Sequence, residues 1–274
     1  MDSIAVQPAV GSLLSRLLAR SKTAAGRLTS VISLIVFMAV WELVVRVQEI
    51  HELLLPSPSV IGLELIEVSQ KGLLWGPLGE TFSALAVGLV AGLIVGISVG
   101  MLVGTSSILD LLSTPYLWAL RATPRIAIAP MVMIWAGFGF EAKVLMVFLS
   151  VTVVVLLIVQ EGVKTVDDTL IRVARSFGAS RKNILVQVIA PYIAPVIANA
   201  IRNGIGMGLV AVLVVEMFSA VGGIGSQVRR AQASYDSPRM FGFILVLIVV
   251  SLTLITLARR LETYVSRWRE EAYV

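Results

Sequence analysis

The sequence has no cysteine and one histidine, His51. The first absence excludes a disulfide framework and thiol chemistry. The second leaves any Ser/His/Asp hydrolase arrangement dependent on His51 alone, and a lone histidine beside acids in a loop makes no metal site. Charge is also scarce. Only 14% of the residues are Asp, Glu, Lys or Arg, against about a quarter in soluble domains. There is no GxxxxGK[ST] phosphate loop, nor a single Gly-Lys dipeptide, so nucleotide hydrolysis by that device is excluded. Alternation of apolar and polar residues over ten-residue segments is missing too, which excludes a transmembrane barrel.

What fills the chain is apolar residues, 57% of 274, arranged in long blocks. No charged residue occurs between Glu80 and Asp110. At 1.5 Å per residue, that block crosses a bilayer core of about 30 Å. The fold class is therefore an all-α membrane protein. Six spans are expected, at 28–48, 81–104, 124–139, 142–161, 192–219 and 239–259. The segment 107–121, with Asp110, Pro115 and Arg121, reads as an interfacial helix or an extension of the third span. Residues 1–27 form a basic segment before the transmembrane domain at 28–274. No small-residue cleavage site follows the first apolar block, so that block is read as a retained span. The run Leu13 to Arg20 reads as a helix on anionic lipid or as a tail.

The net charge is +5. Its basic residues flank apolar spans, so they set membrane orientation rather than bind nucleic acid. Arg16, Arg20, Lys22 and Arg27 precede the first span. Arg121 and Arg125 follow the second, and Lys164, Arg172, Arg175, Arg181 and Lys182 follow the fourth. Arg259, Arg260, Arg267 and Arg269 follow the sixth. With six spans these share one side, which places both termini in the cytoplasm. Arg229, Arg230 and Arg239 disagree, because they fall outside.

Between positions 88 and 104 every fourth residue is glycine: Gly88, Gly92, Gly96, Gly100 and Gly104. A glycine costs a helix about 1 kcal/mol relative to alanine. In lipid, where no hydrophobic force draws helices together, small residues permit close backbone contact. The row is read as static packing within one subunit, the alternative being a track along which a neighbouring helix slides.

The informative loop is EGVKTVDDTLIRVARSFGASRKNILVQVIAPYIAP, residues 161–195. Gly178 is suited to cap a short helix containing Leu170, Ile171, Val173, Ala174 and Phe177. Ser180 then caps a second helix, and Pro191 and Pro195 mark the start of the fifth span. Two short helices at the membrane surface make a docking knob for a soluble partner. Within it Arg172-Val173-Ala174, Gly178 and Val188-Ile189-Ala190-Pro191 keep the spacing Glu-Ala-Ala, three residues, Gly, nine residues, Ile-x-Leu-Pro.

That pattern resembles the permease subunits of ATP-binding-cassette importers. Ala174, Gly178 and Pro191 are identical to it, whereas Arg172 replaces the leading acid, so that acid's contact does not carry over. LPSPS (55–59), LRATPRIAIAPMVMIWAGFG (120–139) and VVEMFSAVGGIGSQV (214–228) are similar to the branch serving nitrate, sulfonates, taurine and related small anions. The resemblance implies a type I importer permease fold with cytoplasmic coupling helices in a bacterial inner membrane. It implies a second permease copy, cytoplasmic ATPase subunits carrying the ATP and magnesium, and an extracytoplasmic binding protein. No cofactor or metal is expected on this chain, and no catalytic residue. The coupling loop, about 162–191, would contact the ATPase through Arg172, Val173, Ala174, Arg175, Ser176, Phe177, Gly178, Ala179 and Ser180.

Polar and aromatic residues inside spans are the remaining candidates. Met133 and Trp135 in the third span, and Arg202, Asn203 and Glu216 in the fifth, are candidates for the translocation path. Glu216 and the Val221–Gly225 segment would shape the outer mouth. Glu42 and Arg46, four apart, can pair within the first span. The alternative to an importer subunit is a self-sufficient carrier or channel, which would need coupling-ion sites and repeated halves; no convincing repeat is present.

Overall fold

The computed structural model describes residue 29 and residues 31–270. The segment 1–27, with its candidate lipid-surface helix, lies outside the described residues. The chain divides into two units, Met1–Leu63 and Glu64–Val274.

In the first unit, residues 31–47 are helical (α1) and expose mostly apolar side chains. Arg46 donates to Glu42 one turn earlier at 2.6 Å. The same carboxylate accepts the Ser59 backbone N–H at 3.0 Å and the Ser59 hydroxyl at 2.7 Å. The LPSPS segment is thereby fastened to α1. Helix α2 (Pro58–Gln70) starts there, with proline at the position that needs no N–H donor.

The second unit continues with α3 (Trp75–Thr105), α4 (Ser107–Ala122), a 3-10 turn (Arg125–Ile128), α5 (Ala129–Ala136) and α6 (Phe140–Lys164). After α6 come α7 (Asp168–Ser176), α8 (Arg181–Ile184), a π turn (Leu185–Ile189) and α9 (Ala190–Tyr192). Helices α10 (Ala194–Ser219), α11 (Gly223–Ala233) and α12 (Ser237–Glu270) complete it. Among the described residues, α3, α6, α10 and the Ser237–Arg260 part of α12 are long and apolar enough to cross a membrane.

The glycine row finds its partner on α6. A Cβ added at Gly88, Gly92, Gly96, Gly100 or Gly104 would lie 2.6–2.9 Å from the Cβ of Val147, Val151, Val155, Val159 or Val163 in turn. Backbone oxygens of α6 lie within 2.8–3.1 Å of the same five points. Five valines, also four apart, press on the bare backbone of α3. Gly204 and Gly208 of α10 face the same valines from another side. Close contact of this kind replaces the hydrophobic drive that lipid does not supply, and it forms the centre of the core.

Each valine follows its glycine by 59 positions, from 88 to 147 through 104 to 163. A constant offset means that α3 and α6 run parallel. The chain must therefore return between them, and α4 with α5 makes that return. This corrects the expected third span at 124–139. Helix α5 has only 8 residues, about 12 Å of helix. Pro124 and Pro130 remove backbone donors, and Gly137 ends α5 at φ 82°. The crossing is shared with α4, which is bent by 85° from the segment Ile126–Ala136. Counting that pair gives five crossings within the described long helices.

Candidate functional site

Helix α10 has 26 residues, about 39 Å of helix, and carries a distinct structure at each end. At its start is the α7–α8 loop. The Asp167 carboxylate accepts the Thr169 N–H at 2.7 Å and caps α7. That bond holds the Asp167 carboxyl below the usual carboxylate range. The helix closes with Gly178 N–H on Arg175 O at 2.9 Å and Ala179 N–H on Ala174 O at 3.1 Å. This paired closure requires a left-handed residue, and Gly178 supplies it at φ 77°. Ser180 accepts the Asn183 N–H at 3.3 Å and starts α8.

Two faces follow. Ile171, Ala174 and Ala179 pack on the core, as does buried Ile184. Leu170, Val173 and Phe177 point away from it, and Phe177 is 86% exposed. Arg172, Arg175 and Ser176 are exposed beside them, with Arg172 donating to the Thr169 hydroxyl at 3.0 Å. Beyond α8, Pro191 and Pro195 have no N–H to donate, and the backbone passes through a π turn before α10 begins.

At the other end of α10, Glu216 is completely buried. Its carboxylate accepts the Thr81 hydroxyl at 2.9 and 3.0 Å and the Gly225 N–H at 2.9 Å. Thr81 accepts the Ile224 N–H at 2.9 Å. Lys143, only 2% exposed, places Nζ 3.5 Å from both Glu216 and Glu80. One cation and two carboxylates thus tie α3, α6 and α10 to the first turn of α11. Gly222 and Gly223 make the turn at φ 59° and 79°. A Cβ on Gly223 would fall 1.9 Å from Glu216 Oε1. Burying such charges is costly unless they are paired and hydrogen-bonded, and here every carboxylate oxygen of Glu216 has a partner.

The five candidates for a path lie in different surroundings. Met133 is buried in the core, while Trp135 is exposed. Glu216 belongs to the cluster just described and is fully buried there. Arg202 makes an ion pair with Glu262 of α12 at 3.3 Å and donates to Asn199 at 2.7 Å. Asn203 is exposed and donates to the Asn199 carbonyl at 2.9 Å. Arg202 is therefore already compensated. Lys143 and Thr81 escaped the sequence reading, because their partner Glu216 lies 73 and 135 positions away. The available signal was a lysine three residues into an apolar helix. His51 accepts the Leu53 N–H at 3.2 Å within a turn.

A cavity of about 220 Å³ lies between α4 and α6, lined by Trp118, Arg121, Glu161 and Lys164 among others. Its charges are matched: Lys164 is 2.7 Å from Asp110, and Arg121 is 3.5 Å from Glu161.

Residues 88–271 match the family described as "Binding-protein-dependent transport system inner membrane component". The riboflavin transport system permease protein RibX of Chloroflexus aurantiacus is 30% identical over 237 residues, 86% of this chain and 88% of that protein. The taurine transport system permease protein TauC of Escherichia coli is 29% identical, covering 88% of this chain and 90% of its own. A putative aliphatic sulfonates transport permease protein, SsuC of Bacillus subtilis, is 27% identical over 85% of each. Among solved structures, the MetNI methionine ABC transporter in inward-facing conformations superposes with a TM-score of 0.58 at 18% identity, over 68% of this chain and 93% of that one. An amino acid ABC transporter does so at 0.57 and 19%, over 74% and 97%. At those identities the two structures speak for the fold.

Proposed function

Because this chain belongs to the family of inner membrane components of binding-protein-dependent transport systems, and is the permease subunit of an ABC importer, we propose that it forms half of a translocation path for a small anion. Two copies enclose the path, and separate cytoplasmic ATPases drive it. The α7–α8 loop is the part an ATPase grips. The observation that carries this reading is Phe177, held almost fully in solvent on a helix whose other face is seated in the core. With Leu170 and Val173 exposed beside it, Phe177 makes an apolar patch rimmed by Arg172, Arg175 and Ser176, the kind of surface a protein partner covers. The segment Arg172–Ser180 forms the contact, with Gly178 setting its turn. Placing this loop in the cytoplasm puts both termini there and the Glu216 cluster on the outer side.

The cargo class rests on the taurine and sulfonate relatives. A second reading, a neutral heteroaromatic cargo, has the riboflavin relative in its favour. Helix α5 also fits the two-copy arrangement. A short helix with broken backbone at both ends sits at membrane depth only where protein or a water-filled cavity covers it, and the partner copy would provide that cover.

Phe177→Asp is the test. Tagged permease carrying it should still be extracted as a folded protein, while recovery of the ATPase falls at least about tenfold. Undiminished ATPase recovery and normal transport would show that the grip lies elsewhere. Mass spectrometry of the small molecule bound to the co-purified binding protein then distinguishes a sulfonate from a flavin-like cargo.

A further inference from the structure

We propose that the cavity between α4 and α6 holds the headgroup of a phospholipid that carries both a phosphate and a primary ammonium, with its chains along the exposed face of α4. The importer reading above fixes only the leaflet, the cytoplasmic one, because the α7–α8 loop follows α6.

The first observation is the level of the cavity. Its α6 wall is Leu157, Gln160, Glu161 and Lys164, the last two turns of a helix long and apolar enough to cross the membrane. Where such a helix ends, hydrocarbon gives way to headgroups. On α4, Ile108, Leu111, Leu112 and Trp118 share one face at helical spacing, and all four are exposed. Trp118 also lines the cavity, and tryptophan favours the headgroup level. An exposed apolar face that runs up to a charged cavity suits a molecule with a charged head and apolar chains.

The second observation is that the two ion pairs of the cavity differ. Lys164 lies 2.7 Å from Asp110, and Gln160 donates to the same carboxylate at 2.6 Å. That pair is closed. Arg121 and Glu161 are 3.5 Å apart, and their side chains are 58% and 62% exposed. Among the described residues neither of these charges has a further hydrogen bond or ion pair. An exposed pair at this spacing contributes little to stability, so parting it costs the fold little. A guanidinium and a carboxylate are thus both available in one cavity.

The third observation is the balance of charge. An anion would gain Arg121 but meet Glu161, and a cation would do the reverse. A ligand with both charges satisfies both. Its phosphate takes the guanidinium, whose planar fork matches it, and its ammonium takes Glu161. At about 220 Å³ the cavity far exceeds the roughly 10–15 Å³ that one water requires, so a whole headgroup can enter. An ethanolamine headgroup donates N–H bonds to Glu161. A choline headgroup has no N–H to donate, and a glycerol headgroup has no cation. The cavity therefore sorts three headgroups that share the same phosphate. Lys164 ends α6 and Asp168 begins α7, so a lipid held there braces the helix end from which the α7–α8 loop departs.

The test is native mass spectrometry of the permease–ATPase complex, stripped of lipid in detergent. The probes are equal amounts of phosphatidylethanolamine, phosphatidylcholine and phosphatidylglycerol with identical chains. The wild type should retain phosphatidylethanolamine at least about tenfold over either competitor. Glu161→Gln should keep a bound lipid but lose the preference over choline. Arg121→Gln should lower retention of both about tenfold. Both side chains are exposed, so the folded complex tolerates either change. Equal retention of all three lipids by the wild type, or a preference that survives both substitutions, overturns the site. A preference for phosphatidylglycerol overturns the pairing of charges. Free phosphoethanolamine that displaces the lipid at equal concentration overturns the lipid as occupant. A permease that retains no ATPase counts against the importer reading and leaves the lipid counts valid.

Discussion

The two ends of α10 carry short helices closed by the same pair of hydrogen bonds, in α11 from the Tyr235 and Asp236 N–H groups to Gln232 O and Ala231 O, yet anchored by opposite means. Helix α7 sits on its neighbours through Ile171 and Ala174, apolar contacts with no directional demand. Helix α11 is pinned by buried hydrogen bonds and an ion pair at Glu216, Thr81 and Lys143. Apolar contact tolerates a shift of position, whereas a buried charge network does not. One end is thus suited to be pushed and re-seated, the other to stay fixed to the helices it touches.

The largest effect should come from removing the pin. Glu216→Ala leaves Lys143 buried beside one exposed carboxylate and strips acceptors from Thr81 and Gly225. A loss of about 3–5 kcal/mol is expected, read as a fall in the thermal midpoint of the purified protein. Pairing Glu216→Gln with Lys143→Met should recover most of it. A Glu216→Ala protein as stable as the wild type would abolish the contrast between the ends.

Alanine at one left-handed glycine from each end, Gly223 and Gly178, compares the ends directly. Gly223→Ala meets both an unfavourable φ and the immobile Glu216 carboxylate, so a loss above about 2 kcal/mol is expected. Gly178 has φ 77° but nothing within 4 Å of its added Cβ. There only the backbone cost remains, about 1 kcal/mol. At Tyr235, which closes α11 at φ 57°, the sign reverses. Tyr235→Gly relieves the backbone and should raise stability, by less than about 1 kcal/mol because glycine also loosens the unfolded chain. Equal losses at Gly223 and Gly178 would mean that the carboxylate yields.

The smallest effect is one of pH. The Asp167 carboxyl titrates below its usual range because it accepts the Thr169 N–H. A lowered value stabilises the folded cap above the unfolded value, and that stability is lost as pH falls through the lowered one. Amide-exchange protection of α7 should therefore stay level from about pH 8 to 5. A decline across that window would show that another group controls the loop.

Local signals made the loop end readable in the sequence. Gly178 and Ser180 mark a stop and a start within three residues, and hydropathy marks α3, α6, α10 and α12. The opposite end is held by pairs far apart in the chain, Thr81 with Glu216 and Glu216 with Lys143, which no window of sequence brings together. The burial of Lys143 Nζ is likewise a property of packing that no local pattern announces. The expected span at 124–139 failed for a related reason. Hydropathy sums side chains and ignores the donors missing at Pro124 and Pro130. Trp135 and Met133, two residues apart on α5, likewise face opposite environments that composition does not separate.

The glycine–valine contact of α3 and α6 also constrains how this protein's length can vary. Each of its five rungs depends on a separation of 59 residues. Inserting one residue in either helix turns everything beyond it by about 100°, so the later glycines no longer face their valines. Lengthening the chain between Thr105 and Phe140 leaves every rung intact. Insertions should therefore be confined to the return segment, while the two flanking helices keep their count.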